Sequence, residues 1–309
     1  MGGFSATFPP TCCRPSGCST LPLLKPIFLC SLTFSLAFAR SPSFDYDLTV
    51  PFAIQFLGVE HRGNVRVEDI SFRNLMGGRT VAYRVLPPGR ERAPAALFVH
   101  WYDPDSMTSN RTQFLNEAVE LAQHGLESLL VATPWSDPKF YPNRDVTLDY
   151  ENSVQEVKEL RRDLDVLLTD TRVDPIRVAY VGHDFGAMYG MVMAGVDQRV
   201  SVAAFQAGNS RFGEWFLYNQ PKLSPEEKQA VVDLLAPIDP VRFIGKLAGK
   251  PVLLQFSKQD FYVPLDRAQA IADAAKEPRQ VLYYDADHGL NHQAVRDRIA
   301  FLREKLALK

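Results

Sequence analysis

Residues 178–190 read VAYVGHDFGAMYG, and this stretch decides the fold. A short apolar run enters a glycine-flanked turn and an apolar segment follows, which is typical of a strand, a tight turn and a helix. The turn GHDFG (182–186) matches the elbow that presents a nucleophile at the end of a strand, where the central residue is usually serine. Here the central residue is Asp184. The sequence therefore indicates either a reaction that uses a carboxylate or a turn that has lost its chemistry.

Apolar segments and helical stripes alternate along the chain on both sides of this turn. Short apolar segments of this kind predict strands that are covered on both faces. Such strands are predicted at 95–101, 128–134, 176–182, 200–208, 251–257 and 280–286, with amphipathic helices near 114–122, 154–167 and 295–306. Two further strands, 65–74 and 79–88, flank the sequence LMGG and predict a hairpin. The alternation predicts an α/β fold, a mostly parallel sheet with helices on both faces.

One domain, 65–309, accounts for all of these elements, and 40–64 is predicted to be an N-terminal extension. The segment 209–250 is the largest excursion between two strands, and it is too short for a large lid domain. With 309 residues, 46% of them apolar and 23% charged, the composition is that of an ordinary soluble globular protein. A net charge of −2 without a basic stripe argues against a nucleic-acid partner.

The first 39 residues predict a secretory signal peptide. Arg14 and Lys25 precede the apolar run PIFLCSLTFSLAFA (26–39), which ends in Ala-Phe-Ala. A basic region, a short apolar region and a small-x-small end describe such a leader. The run has 14 residues, fewer than the roughly 20 that a stable membrane span requires. We expect cleavage after Ala39 and export to a periplasm or the medium; without a genuine leader the protein would be cytoplasmic.

Two polar residues follow predicted strands in the C-terminal half. Asp260 comes after strand 251–257, and His288 comes after strand 280–286. Because the carboxyl ends of parallel strands meet at one edge of a sheet, we expect both residues near Asp184. The order nucleophile, acid, histidine is that of a catalytic triad on an α/β-hydrolase scaffold.

A carboxylate at Asp184 permits covalent catalysis. The helix N-terminus after it would stabilise its anion, which could attack carbon without a base. His288, oriented by Asp260, would then activate water to hydrolyse the ester on Asp184, and the backbone amides of Trp101 and Phe185 would hold the oxyanion. Two alternatives remain: Asp184 acts as a base without a covalent intermediate, or it only caps the helix of an inactive protein that binds a ligand or partner.

The segment 65–309 resembles the α/β-hydrolase superfamily throughout. The elbow GHDFGA (182–187) resembles that of epoxide hydrolases and haloalkane dehalogenases, whose nucleophile is an aspartate. The segments SKQDFYVP (257–264) and DADHG (285–289) are more similar to dienelactone-hydrolase-like members. The resemblance implies a hydrolase that needs no cofactor and acts on a small electrophilic molecule such as an ester, a lactone or an epoxide.

The sequence departs from the aspartate-using families at two places. They usually carry tryptophan after the nucleophile, whereas Phe185 cannot donate a hydrogen bond to a halide. They often have His-Gly-x-Pro after the third strand, whereas HWYDP (100–104) has a bulky residue at the glycine position. These departures argue against dehalogenation and leave epoxide opening open.

Four residues are candidates for the substrate pocket, and each has a second interpretation. Tyr102 follows a predicted strand, and Trp135 and Tyr141 lie in a long loop that either lines a pocket or covers the core. His183 adjoins the nucleophile, although a packed structural histidine is the more ordinary interpretation. His288 and the histidine four residues later have metal-ligand spacing, but the intervening glycine favours a loop, so no metal is expected. The oligomeric state stays open.

Overall fold

The structure is a computed structural model, and it describes residues 42–89, 91–218 and 222–309. The predicted leader lies outside these ranges. Within them, no helix has both the length and the apolar character that crossing a bilayer would demand.

Nine strands of the described chain form one sheet in the order β1-β2-β3-β5-β4-β6-β7-β8-β9. The first three strands pair antiparallel, β3 is antiparallel to β5, and the neighbours from β5 to β9 run parallel. The prediction of a mostly parallel sheet entered through an antiparallel hairpin is therefore confirmed. The strands are β1 (Gln55–Arg62), β2 (Val65–Arg73), β3 (Arg79–Leu86), β4 (Ala93–Val99), β5 (Glu127–Val131), β6 (Val173–His183), β7 (Val202–Gln206), β8 (Val252–Ser257) and β9 (Arg279–Tyr284).

Helices cover both faces of this sheet. Every residue of β4 is buried, and its side chains alternate between two apolar cores, Leu97 in one and Phe98 in the other. Residues of α3, α4 and α7 complete the first core, and residues of α1 and α8 complete the second. The α-helices are α1 (Leu115–Gln123), α2 (Phe140–Asn143), α3 (Asp149–Leu167), α4 (Phe185–Val196), α5 (Phe212–Leu217), α6 (Pro225–Leu235), α7 (Leu265–Ala274) and α8 (His292–Lys305).

The domain begins earlier than residue 65. Strand β1 lies inside the segment 40–64 that the sequence indicated as an extension, and it pairs with β2 along its length. Most of its residues are exposed, so it lacks the period-two burial pattern by which strands are recognised in sequence. The segment 209–250 holds α5, α6 and three short 3₁₀ turns rather than a large lid.

Candidate active site

The turn between β6 and α4 has the geometry of a nucleophile elbow. Asp184 adopts φ 55° and ψ −116°, a strained backbone conformation for a residue with a side chain. A Cβ atom on Gly186 would lie 2.2 Å from the carbonyl oxygen of Val99, and one on Gly182 would lie 2.3 Å from the carbonyl oxygen of Gly186. The Asp184 side chain makes no helix-capping hydrogen bond. A capping role alone therefore explains neither the strain nor the two glycines.

The three predicted catalytic residues meet beyond the ends of β6, β8 and β9. The Nδ1 of His288 lies 2.8 Å from Oδ2 of Asp260. The Oδ1 of Asp260 accepts hydrogen bonds from the backbone amides of Tyr262 and Val263, at 2.8 and 3.0 Å. The Nε2 of His288 faces Oδ1 of Asp184 across 3.9 Å, and neither atom has a hydrogen-bond partner among the described residues. The imidazole is thus oriented by one carboxylate and directed at the other.

The amide donors near Asp184 differ in part from those expected. The backbone N–H of Tyr102 donates to Oδ2 of Asp184 at 2.8 Å, and the amide of Phe185 also favours the ionised carboxylate. The N–H of Trp101 instead donates to Oε1 of Gln113 at 2.8 Å. Trp101 was expected as the second donor because it directly follows the predicted strand that ends at His100. In the structure Gln113 accepts from the Trp101 amide, and Tyr102 is the donor to Asp184.

Burial dominates the electrostatics of the site. Asp184 is 0% exposed, and burial raises its pKa to about 7 although the charge on His288 favours ionisation. Burial alone would lower the pKa of His288, but its hydrogen bond to Asp260 and the charge on Asp184 raise it on balance. The charge on each of these groups favours the charged form of the other, so the pKa of Asp184 and that of His288 depend on each other.

His183 supports the site rather than lining a pocket. It is 1% exposed, and burial holds its pKa well below the usual value, so it is neutral. Because Oε1 of Gln113 accepts from Trp101, its Nε2 donates to Nδ1 of His183, at 2.6 Å. The Nε2–H of His183 then donates to the carbonyl oxygen of His288 at 3.0 Å. The packed interpretation of His183 fits this geometry, and nothing in the sequence pointed to Gln113.

An aromatic cavity of about 710 Å³ opens beside His288. Tyr102 and Tyr141, both predicted for the pocket, line it. Trp135 does not line it; its ring packs with the centroid 5.4 Å from that of Phe185. The other aromatic side chains in the wall are Trp101, Trp215, Tyr218, Phe261 and Tyr262.

The cavity does not reach Asp184 directly. The His288 ring is covered by Trp215 and Tyr262, with centroids 5.7 and 5.1 Å away. These two rings therefore lie over His288, and Asp184 is not among the residues that line the cavity. In the described ranges no group of three histidine, cysteine or acidic side chains is arranged to hold a metal ion.

Solved structures of similar architecture identify the fold. The acetyl xylan esterase from Paenibacillus sp. R4 has a TM-score of 0.68 and 19% identity, over 82% of this chain and 89% of that one. Acetyl xylan esterase 1 from Thermoanaerobacterium sp. JW/SL YS485 has a TM-score of 0.67 and 16% identity, over 82% and 88%. The chain has the α/β-hydrolase fold.

A third structure extends the comparison. A candidate dienelactone hydrolase from Klebsiella pneumoniae subsp. pneumoniae MGH 78578 matches with a TM-score of 0.57 and 16% identity, over 79% of this chain and 99% of that one. No protein-family profile matches the chain, and no curated protein does. At these identities the likeness concerns the fold, so the chemistry has to be argued from the site.

Proposed function

We propose that this chain is a hydrolase of a small electrophile, an ester, lactone or epoxide, and that Asp184 is its nucleophile. One observation carries the proposal. The carboxylate at the elbow has Oδ2 held by the amide of Tyr102, while Oδ1 faces the imidazole of His288. That imidazole is oriented in turn by Asp260. The esterases among the structures of similar fold support the hydrolysis of esters in particular.

In the first step Oδ1 of Asp184 attacks the electrophilic carbon. With an epoxide, the new C–O bond forms as the ring C–O bond breaks, and the alkoxide takes a proton from solvent. The product is an ester on Asp184. With an ester or lactone the attack falls on the carbonyl carbon, the alcohol leaves with a proton from solvent, and Asp184 carries an anhydride.

In the second step His288 acts as a base. The negative charge of Asp184 is one of the causes that raise the pKa of His288. Acylation or alkylation removes this charge, so the pKa of His288 falls and the neutral imidazole is favoured. The neutral imidazole then takes a proton from water, whose oxygen adds to the side-chain carbonyl carbon of Asp184. The amides of Tyr102 and Phe185 stabilise the oxyanion on Oδ2. Collapse releases the product, which takes the proton back from His288. The carboxyl group of Asp184 then loses its proton to solvent, which restores the carboxylate.

The second candidate makes Asp184 a general base. Burial raises its pKa to about 7, a value that suits a group which takes a proton from water at neutral pH. The activated water would then attack an ester carbonyl directly, and no bond to Asp184 would form.

Single-turnover labelling separates the two mechanisms. In heavy-oxygen water the covalent route places the label in Asp184, because water adds to its own side-chain carbonyl. His288→Gln should still be attacked once and should accumulate an adduct on the peptide that contains Asp184, whereas Asp184→Ala should show neither adduct nor turnover. His61→Gln, which alters an exposed histidine on β1, is the matched control and should behave like the wild type.

Peptide mass spectrometry after incubation with panels of esters, lactones and epoxides reads each outcome. An active wild type without label in Asp184, together with no adduct in His288→Gln, would establish the general-base mechanism instead. No turnover by the folded wild type on any panel, with no adduct in either protein, would support an inactive binding protein.

A further inference from the structure

A second cavity, of about 450 Å³, lies apart from the catalytic cavity and shares no lining residue with it. Its walls come from α3, from the hairpin between β2 and β3, and from the residues that follow β5. Its volume is within the range of sites that take small molecules. None of its lining residues belongs to the proposed triad.

Two carboxyl side chains in this cavity are buried without a cation. Asp163 is 3% exposed, and its Oδ1 has no hydrogen-bond partner among the described residues. Glu156, two helical turns earlier on α3, is 6% exposed. Burial raises the pKa of Glu156 to about 8, and it raises that of Asp163 well above the usual value. Buried carboxyl groups without partners are costly, so their presence requires an explanation.

The cationic side chains nearby are already engaged. Arg144 pairs with Asp149 at 3.2 Å, and Arg162 donates to backbone carbonyl oxygens, among them that of Arg73. Arg79, which also lines the cavity, is exposed and donates to Ser71 and to the carbonyl oxygen of Ala53. Among the described residues no cationic side chain therefore pairs with Glu156 or Asp163. Because their raised pKa values favour the protonated carboxyl groups near neutral pH, a cation would bind here as these groups release their protons.

Aromatic side chains line the same cavity. They are Trp135, Phe140, Tyr189 and Phe216, and the rings of Trp135 and Tyr189 stack with centroids 5.3 Å apart. The guanidinium of Arg144 lies 5.1 Å from the centre of the Phe216 ring, so this aromatic lining already accommodates one cation. Since no group of three metal ligands exists in the described chain, aromatic rings and buried carboxyl groups in one cavity favour an organic cation over a metal ion.

We propose that this cavity binds a small organic ammonium ion, whose charge is neutralised by Glu156 and Asp163 and whose carbon atoms contact the aromatic lining. The site is separate from the reaction at Asp184 and does not depend on it.

Titration calorimetry of the full chain with benzylamine and 1,4-diaminobutane tests the proposal. Benzyl alcohol and 1,4-butanediol are the neutral counterparts, and MgCl₂ represents a metal ion. We expect saturable binding of at least one amine and none of the alcohols or Mg²⁺. Glu156→Gln and Asp163→Asn should each weaken amine binding at least tenfold. Glu151→Gln, which removes the same charge at an exposed position of α3 outside the cavity, should not.

A second measurement does not depend on the variants folding. The bound amine should raise the melting temperature of the wild type, while its alcohol counterpart should not, because a ligand that binds only the folded state stabilises it. The proposal is overturned if neither amine binds or shifts the melting temperature at millimolar concentration. It is also overturned if the alcohols bind as tightly, if Mg²⁺ is preferred, or if Glu151→Gln weakens binding as much as the cavity variants do.

Discussion

The residue at position 184 brings two oxygens to a place where a serine brings one. Its Oδ2 accepts a hydrogen bond from the backbone amide of Tyr102 at 2.8 Å. With serine at this position, that amide would be free to donate to the oxygen of a substrate carbonyl. Attack by Oδ1 on an ester would thus begin without that stabilisation, whereas an epoxide has no carbonyl oxygen and would develop its negative charge on the ring oxygen instead. Hydrolysis of the proposed intermediate would then use the amides on Oδ2, where the oxyanion would form. Under the proposed mechanism, the geometry around Asp184 would suit a saturated electrophilic carbon at least as well as an acyl carbon.

Asp260→Asn should keep the fold and lower kcat by roughly 10⁴-fold, the effect known for the same change in serine triads. The asparagine amide would force the wrong imidazole tautomer on His288, whose Nδ1 now lies 2.8 Å from Asp260. Steady-state kinetics measures the loss, and circular dichroism checks the fold. The control is Asp285→Asn, on an exposed carboxylate of the loop after β9 that also carries His288. An unchanged kcat in Asp260→Asn would mean that another acid orients His288.

The activity should rise with pH through about 7. Attack requires an ionised Asp184, and burial raises the pKa of this carboxyl to about 7, so the reactive form is scarce below that pH and dominant above it. In His288→Gln the adduct should form with a midpoint at higher pH, because the charge on His288 lowers the pKa of Asp184. Rates of single-turnover adduct formation across pH 5–9 measure both. A midpoint that moves down, or a rate independent of pH, would contradict this assignment.

The sequence predicted the acidic and imidazole groups of the candidate site and the amide of Phe185, but not the amide of Tyr102. Asp184, Asp260 and His288 each follow a strand, and the ends of parallel strands meet at one edge by the topology alone. The donor role of Tyr102 depends on the course of the loop after β4, which Gln113 fixes through the amide of Trp101. Such a contact between distant segments leaves no periodic or motif signal.

The elbow between β6 and α4 depends on close packing of its backbone at Gly186 against the backbone of Val99. We expect Gly186→Ala to destabilise the protein by ~2 kcal/mol or more, since overpacking of this kind typically costs 1–3 kcal/mol. The added Cβ would lie 2.2 Å from the carbonyl oxygen of Val99, and no side-chain rotation relieves a contact between backbone groups. Urea denaturation measures the change. Gly58→Ala on β1 is the control, because a Cβ there meets nothing within 4 Å; equal stabilities of the two variants would contradict the argument.

The fully buried strands could be predicted from the sequence, whereas strand β1 and helices α5 and α7 could not. Every residue of β5, β7 and β8 is buried, so each is a short apolar run that stands out from its neighbours. Strand β1 is an exposed edge, and α7 buries only Ala268, Ile271 and Ala272. Three apolar positions are too few to predict an amphipathic helix from the sequence. α5 has six residues, too few to show a helical period.

The segment before β1 packs against the rest of the domain. Phe44 is buried and its ring meets that of Phe243 with centroids 5.9 Å apart. Arg161 donates to the carbonyl oxygen of Phe44 at 2.7 Å, and Arg162 donates to that of Val50 at 3.2 Å. This segment thus contacts α3 and Phe243, so it is a packed part of the domain and not a dispensable extension.

We propose that export removes the first 39 residues, so N-terminal sequencing of protein from a secreting host should begin near Arg40.

Two truncations should differ sharply in stability, because the segment before β1 packs on the domain. A chain starting at Arg40 keeps the contacts of Phe44 and Val50 and should retain its stability. A chain starting at Gln55 loses them, and because removing one buried phenylalanine side chain costs about 3–5 kcal/mol, its free energy of unfolding should fall by at least that amount. Urea denaturation of both chains measures the difference. An exported, folded protein that still carries its first residue would contradict the processing, and equal stability of the two truncations would contradict the structural role of residues 42–54.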